Sequence, residues 1–228
     1  MPASPKRRSA APLASRSRRK AAAEAPPPYH HGALHATLLA AAQDIIESQG
    51  LEALTLRAAA RAAGVSHAAP KNHFGDLTGL LSELAAVGFR QFAEALRAAG
   101  NEGSSPGERF DATGLAYVTF AREHPALFLL MFRGERLDMT RPALRKAADQ
   151  ARAALAGAAA DRLGLAPTAD AEVTPEQGAT MIAGWALVHG FAMLLIDGRL
   201  DAVMSRWPDE TNWQSLLSAV FNARRPPQ

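Results

Sequence analysis

The chain is predicted to be all α-helix, a three-helix helix-turn-helix head joined to a larger helical body, and three observations predict this class. Alanine, the residue with the best intrinsic helix propensity, runs through all 228 residues. The β-branched residues never line up in a run that alternates apolar with polar, as a half-buried strand would. Apolar side chains recur instead at helical spacing, as in Leu34, Leu38, Ala41, Ala42 and Ile45, with Gln43, Asp44 and Glu47 opposite. A chain of this length holds one large or two small helical domains.

Residues 1–28 form a basic tail: Lys6, Arg7, Arg8, Arg16, Arg18, Arg19 and Lys20 stand against Glu24 alone, and Pro26, Pro27 and Pro28 close it. With few large apolar residues to offset ordering entropy, it is expected to be disordered, a loose arm able to follow phosphates without reading sequence. From His31 a helix runs to Gly50, read as a left-handed cap. Thr55 is the expected N-cap of a short helix through Arg57 and Arg61 to Ala63, where Gly64 stops it. Ser66 is expected to cap a third helix that reaches about His73, and a long helix begins near Leu77.

The stretch from Asn101 to Gly107 reads as a flexible break. Beyond it, helical segments are expected near 108–123, 125–132, 142–163, 175–196 and 209–224, punctuated by Pro125, Pro142, Pro167, Pro175 and Pro208. The division drawn is 1–28 tail, 29–76 DNA-binding head, and 77–228 effector-binding and dimerisation body.

Composition excludes several functions. Cysteine is absent, so there are no disulfides, thiol nucleophiles or thiolate metal sites. No nucleophile triad, carboxylate pair or phosphate-cradling glycine loop is found, and neither an enzyme activity, a cofactor nor a metal is expected. No apolar stretch is read as approaching the roughly 20 residues of a membrane span, and no apolar core follows the N-terminal charges as in a secretion signal, so the cytoplasm is the expected location.

The most informative stretch is Thr55 to Phe74. Ala59, Ala60 and Ala63 let two helices approach closely, Gly64 permits the positive φ of a tight turn, and Val65 fills the corner. A short helix, a glycine turn and a second short helix make a unit whose second helix enters the major groove. An ordinary helical hairpin has the same spacing. His67, Lys71 and Asn72 are the expected base readers, with Ala68 and Ala69 set against thymine methyls and His73 in the same segment. Ser66 and Thr55 are assigned to phosphates. Pro70, which cannot donate to the Ser66 carbonyl, is read as structural.

Residues 29–85 resemble the N-terminal domain of the tetracycline-repressor (TetR) family, in which a Gly-Val-Ser turn precedes a His-Phe pair, as Gly64, Val65 and Ser66 precede His73 and Phe74. The lead-in from Tyr29 to Leu34 is similar to that of one branch of the family. So is the run from Phe120 through Pro125 to Met131 and Phe132, and Trp185, His189 and Gly190 match the Trp-His-Gly motif that names the branch's C-terminal domain. The resemblance implies a homodimer formed by the C-terminal helices, a double-stranded DNA operator, and a small-molecule effector that releases it. Two positions depart from the family pattern: Lys71 replaces a phosphate-binding tyrosine, and Leu77 replaces a lysine. A neutral head, in which Arg57, Arg61 and Lys71 balance Asp44, Glu47 and Glu52, leaves much of the non-specific affinity to the tail.

Two clusters in the body, Tyr117, Phe120, Phe128, Met131 and Phe132, then Met181, Trp185, His189 and Met193, suit a pocket for a small apolar or amphipathic effector. The plain alternative for such stripes is core. Leu187, Leu194, Leu216, Leu217 and Val220 are the expected dimer contacts. Two rival functions are a helical ligand-binding protein without DNA binding, raised by Lys71 and Leu77, and a metalloenzyme on His30, His31 and His35, of which His31 and His35 have the i, i+4 spacing of metal ligands.

Overall fold

The computed structural model describes residues 31–165, 174–207 and 211–223. The predicted basic tail, together with His30, Pro167 and Pro208, lies outside the described residues. Within them the chain forms ten α-helices: α1 His31–Gln49, α2 Leu56–Ala62, α3 Ala69–Phe74, α4 Leu77–Ala99, α5 Pro106–Glu123, α6 Pro125–Met131, α7 Pro142–Arg162, α8 Pro175–Ile196, α9 Asp201–Met204 and α10 Trp213–Ala223. Single 3-10 turns sit at Leu51–Ala53 and Gly134–Arg136.

Local chemistry sets most boundaries. Proline, whose missing N–H costs nothing in a first turn, opens α5, α6, α7 and α8. Thr55, Asp76, Ser105 and Thr174 each accept a backbone N–H three residues on, and Thr174 forms a reciprocal capping box with Gln177. Gly64 supplies the corner after α2 with φ 67°. Gly50 also takes a positive φ, 84°, but its ψ of 164° is extended, not the left-handed helical cap expected.

Ser66 does not cap α3. The helix starts three residues later, with Ala68 as its N-cap and no capping side chain. Pro70 accounts for the delay: it is tolerated in a first turn but not deeper, where it would remove a hydrogen bond and clash with the carbonyl four residues back. Ser66 to Ala68 therefore form an exposed turn, in which the Ser66 carbonyl accepts from Ala69 N–H at 3.0 Å.

One connected core threads the molecule. Leu38, Ala42 and Ile46 of α1 meet Leu54, Ala59 and Phe74, and α4 continues the same core through Leu80, Leu84, Phe92 and Leu96 into the body. There α4 packs most extensively on α7, α5 on α8, and α6 lies across α4. Gly88 makes that crossing possible, because a Cβ there would fall 2.8 Å from Met131 Sδ and 3.0 Å from Leu127 Cγ. Tyr117, Phe92, Phe128, Leu127 and Leu130 are fully buried at the centre. Each contributes about 1.5–3 kcal/mol over leaving it in water.

The expectation that no segment has membrane-spanning length is corrected by α8. Over its 22 residues it has a mean hydropathy of 1.8 in its most apolar window, enough by length and composition to cross a bilayer. Alanine, glycine and His189 break up its large side chains and disguise this in the sequence. In the fold, Val188, Phe191 and Ala192 enter the core against α5 and α7, while Ile182, Trp185 and Leu194 remain exposed.

Candidate functional site

The head presents one outward edge. Thr55, Arg57, Arg61, Ser66, His67, Ala68, Lys71 and Asn72 are all exposed. Thr55 Oγ1 accepts from Ala58 N–H at 3.0 Å, which leaves its hydroxyl proton free to donate outward. Ala69 is a correction: it is 9% exposed and turns inward beside Pro70, so its methyl is not available to a base. Pro70 and Phe74, four residues apart, set the inward face of a helix six residues long, and Ala69 in its first turn is buried next to Pro70. His73 is half-buried, its ring 5.9 Å from that of His35 on α1, and His35 in turn lies 4.9 Å from Phe74. These two histidines support the helix from behind.

The charge of the head is not what its residue sum implies. Glu47 turns away from the outward edge and accepts the first backbone N–H groups of α6, from Ala126 and Leu127, at 3.2 Å each. Glu52 pairs with Arg136 at 2.6 Å, and that guanidinium holds its carboxyl below the usual range. Two of the three acids are thus committed to the body, which leaves Arg57, Arg61 and Lys71 exposed against Asp44.

A third link joins α3 to the body. Arg141 Nη2 donates to the Phe74 carbonyl at 3.1 Å, at the end of the helix, while Nη1 approaches Glu83 at 3.5 Å. Its Nε lies 3.5 Å from Asp138 Oδ2, an ionic contact without a hydrogen bond. Gly79 opens the space: a Cβ there would stand 2.0 Å from the Phe74 oxygen and 2.6 Å from Arg141 Nη2. Buried Ser82 accepts Asp138 N–H at 2.8 Å and fixes the loop that carries Arg141.

The body holds a polar centre within an aromatic cluster. Trp185 Nε1 donates to Tyr117 Oη at 3.0 Å, and the same hydroxyl shares a hydrogen bond with His189 Nδ1, 2.9 Å away. Burial raises the Tyr117 phenol pKa and lowers that of His189, which keeps the phenol protonated and the imidazole neutral. Beside this centre lies a cavity of about 290 Å³ between α4, α7 and α8, walled by Phe89, Phe92, Phe132, Ile182 and Trp185, with Arg152 at its rim. A larger cleft of about 800 Å³ opens near the Arg109–Asp161 pair, but it has no aromatic wall and faces solvent widely.

Of the expected pocket residues, Trp185 lines the aromatic cavity and His189 packs against its wall, 4.9 Å from the Phe132 ring. Tyr117, Phe120, Phe128 and Met131 do not line this cavity and are buried in the core instead. Helical periodicity brings them onto Phe92, whose ring lies 4.9 Å from that of Tyr117 and 5.1 Å from that of Phe120. Phe89, Phe92 and Arg152 were not anticipated. The signal for the first two was an aromatic pair three residues apart on the long helix, opposite the small side chains of Ala148 and Ala151. Among the dimer candidates, Leu216 and Leu217 are likewise buried in the chain's own core, whereas Leu194 is exposed and Leu187 and Val220 half-buried. Among the described residues no group of three His, Cys, Asp or Glu gathers as a metal site.

A short helix presented at a glycine corner over an all-helical body with its own cavity is the build of a helix-turn-helix transcriptional regulator. The chain belongs to the tetracycline-repressor family: residues 110–220 match the family model described as "Tetracyclin repressor-like, C-terminal domain". A protein with unknown function from Rhodococcus sp. RHA1 is similar at 32% identity and TM-score 0.68, over 87% of this chain and 96% of that one. The TetR family transcriptional regulator PfmR from Thermus thermophilus shares the fold at TM-score 0.52 and 19% identity, over 81% of this chain and 94% of its own. A bacterial regulatory protein in the tetR family from Rhodococcus RHA1 does so at TM-score 0.55 and 19% identity, over 83% and 94%. No curated protein matches the chain.

Proposed function

We propose that the protein is a sequence-specific DNA-binding repressor, not an enzyme, that acts in the cytoplasm as a homodimer and leaves its operator when a small molecule fills the aromatic cavity. The observation that carries this reading is the outward face of the turn and α3, where His67, Lys71 and Asn72 stand exposed together. Lys71 meets phosphate as a point charge, and His67 and Asn72 offer ring and amide groups to base edges. Residues 29–76 serve as the reading head and residues 77–228 as the sensing and dimerising body.

Dimerisation sets the separation of the two reading helices, which must be about one helical turn of DNA, roughly 34–36 Å. The exposed apolar side of α8 supports this assembly, with Ile182 and Leu194 at its surface. Release follows from α6. Its N-terminus is held by Glu47 of the head, and Phe132 just beyond its C-terminus lines the cavity. An effector that shifts Phe132 therefore shifts the element to which α1 is tied, and the two heads leave register with successive major grooves.

The test is binding of the full chain to the promoter fragment of its own gene, followed by footprinting. A protected site of two related half-sites is the expected result, and indifference to sequence at every salt concentration overturns the proposal. Deleting residues 1–26 removes seven basic residues and Glu24, and is expected to lower overall affinity and flatten its salt dependence while leaving operator preference unchanged.

A further inference from the structure

We propose that the cavity between α4, α7 and α8 takes a monocarboxylate with a compact aromatic or branched apolar body, its carboxylate held by Arg152 at the rim. This rests on the reading of that cavity as the effector site and adds the chemical class of the effector.

The interior offers nothing to a polar group. Phe89, Phe92, Phe132 and Ile182 are hydrocarbon, and the one polar atom of the Trp185 wall, Nε1–H, is already donated to Tyr117 Oη. Any polar end of a ligand must therefore lie at the mouth, since burying it among these walls would leave it unsatisfied. Among the described residues lining the cavity, Arg152 alone is charged. Its partner is Asp149, three residues back on the same exposed helix face at 2.8 Å, with both side chains more than 60% exposed. Such a surface pair is weak, so the guanidinium can exchange it for a ligand at little cost. A planar guanidinium fork matches a carboxylate through two parallel hydrogen bonds.

Size and sign narrow the class further. At roughly 30 Å³ for each water-sized volume, 290 Å³ admits about ten such volumes, the bulk of one ring with a short side chain. Aromatic faces attract cations in general, but a cationic ligand here must pass Arg152 and finds no lining carboxylate to receive it.

The experiment is calorimetric titration of the full chain with 3-phenylpropionate, 3-phenylpropanamide and 3-phenylpropylamine, three probes that share one body and differ in head-group charge. The carboxylate is expected to bind at least tenfold more tightly than the amide, and the amine more weakly than either. Arg152→Gln should reduce the carboxylate to the level of the amide, and added salt should narrow the difference in the unmodified chain. Ala148→Phe, which fills the cavity from α7, should abolish binding of carboxylate and amide together. Ala151→Leu on the same wall is the second blocking variant should Ala148→Phe fail to fold, as judged by circular dichroism.

If the amide or amine matches the carboxylate, or Arg152→Gln leaves the preference intact, the anionic class is overturned while the cavity survives as a binding site. If carboxylate binding persists in a folded blocking variant, or no probe binds at millimolar concentration, both the class and the effector role of the cavity are overturned.

Discussion

Tyr117 is buried beyond solvent reach, yet its hydroxyl has two partners, accepting from Trp185 and sharing a hydrogen bond with His189 Nδ1. Tyr117→Phe keeps the ring packing and removes only the oxygen between two partners on α8. It is expected to cost about 1 kcal/mol, the net value of such hydrogen bonds, and to lower the melting temperature by roughly 2–4 °C for a chain of this size. In the unmodified protein burial depresses the His189 pKa. The unfolded chain then takes up the proton first, so the contribution of this residue is complete above the ordinary imidazole value of about 6.5 and declines as pH falls from there towards the depressed value. Gly79 is the other single atom's worth of space on which much depends. Gly79→Ala gains helix propensity, but it drives a methyl into the Phe74 carbonyl and the Arg141 guanidinium. Overpacking of that kind costs about 1–3 kcal/mol. Because the strain falls on the end of α3, DNA affinity should drop by more than the thermal shift alone explains, as measured by fluorescence anisotropy against the footprinted site.

Among the elements, α6 is the short piece with contacts at both ends that matter. Glu47→Gln keeps the shape of its N-terminal cap and removes the charge. A loss of about 0.5–1 kcal/mol is expected, read as a lower urea midpoint, together with weaker coupling between cavity occupancy and DNA release. Every helix but the single turn α9, and most boundaries, were legible in the sequence, because proline starts and hydroxyl or carboxylate caps act over three or four residues. The start of α3 was misread because a serine in the right place and a proline four residues later make opposite local demands, and the proline prevailed. The cavity was only partly legible. Tyr117 and Phe128 carry the same periodic signal as Phe132, and whether an aromatic fills the core or walls a void depends on alanines in α7, more than fifteen residues further along. Arg152 gave no signal, since a charged residue on a solvated helix face is ordinary in itself.

For the whole molecule, the exposed apolar side of α8 is the surface on which the proposed homodimer rests. Ile182→Glu places a charge at its most exposed large side chain, 50% accessible in the single chain. It should shift the protein from dimer to monomer in sedimentation velocity with little change in helicity, and operator binding should fall with it because two half-sites are no longer read together. A dimer that persists in this variant would move the interface away from that part of α8. The committed acids matter at this scale too: Glu47 and Glu52 bond to the body, so a head that sums to neutral in sequence keeps Arg57, Arg61 and Lys71 exposed against Asp44.

The Arg141 contact to the Phe74 carbonyl has a practical consequence for anyone recombining such regulators. Helix α3 is only six residues long, and its last carbonyl is tethered by a side chain 67 positions further along the chain. A chimera that grafts this head onto another body, or another head onto this body, severs that tether unless the recipient has an arginine in the same place and a glycine beneath it. Modular as the two parts look, they are to be exchanged together with this joint or not at all.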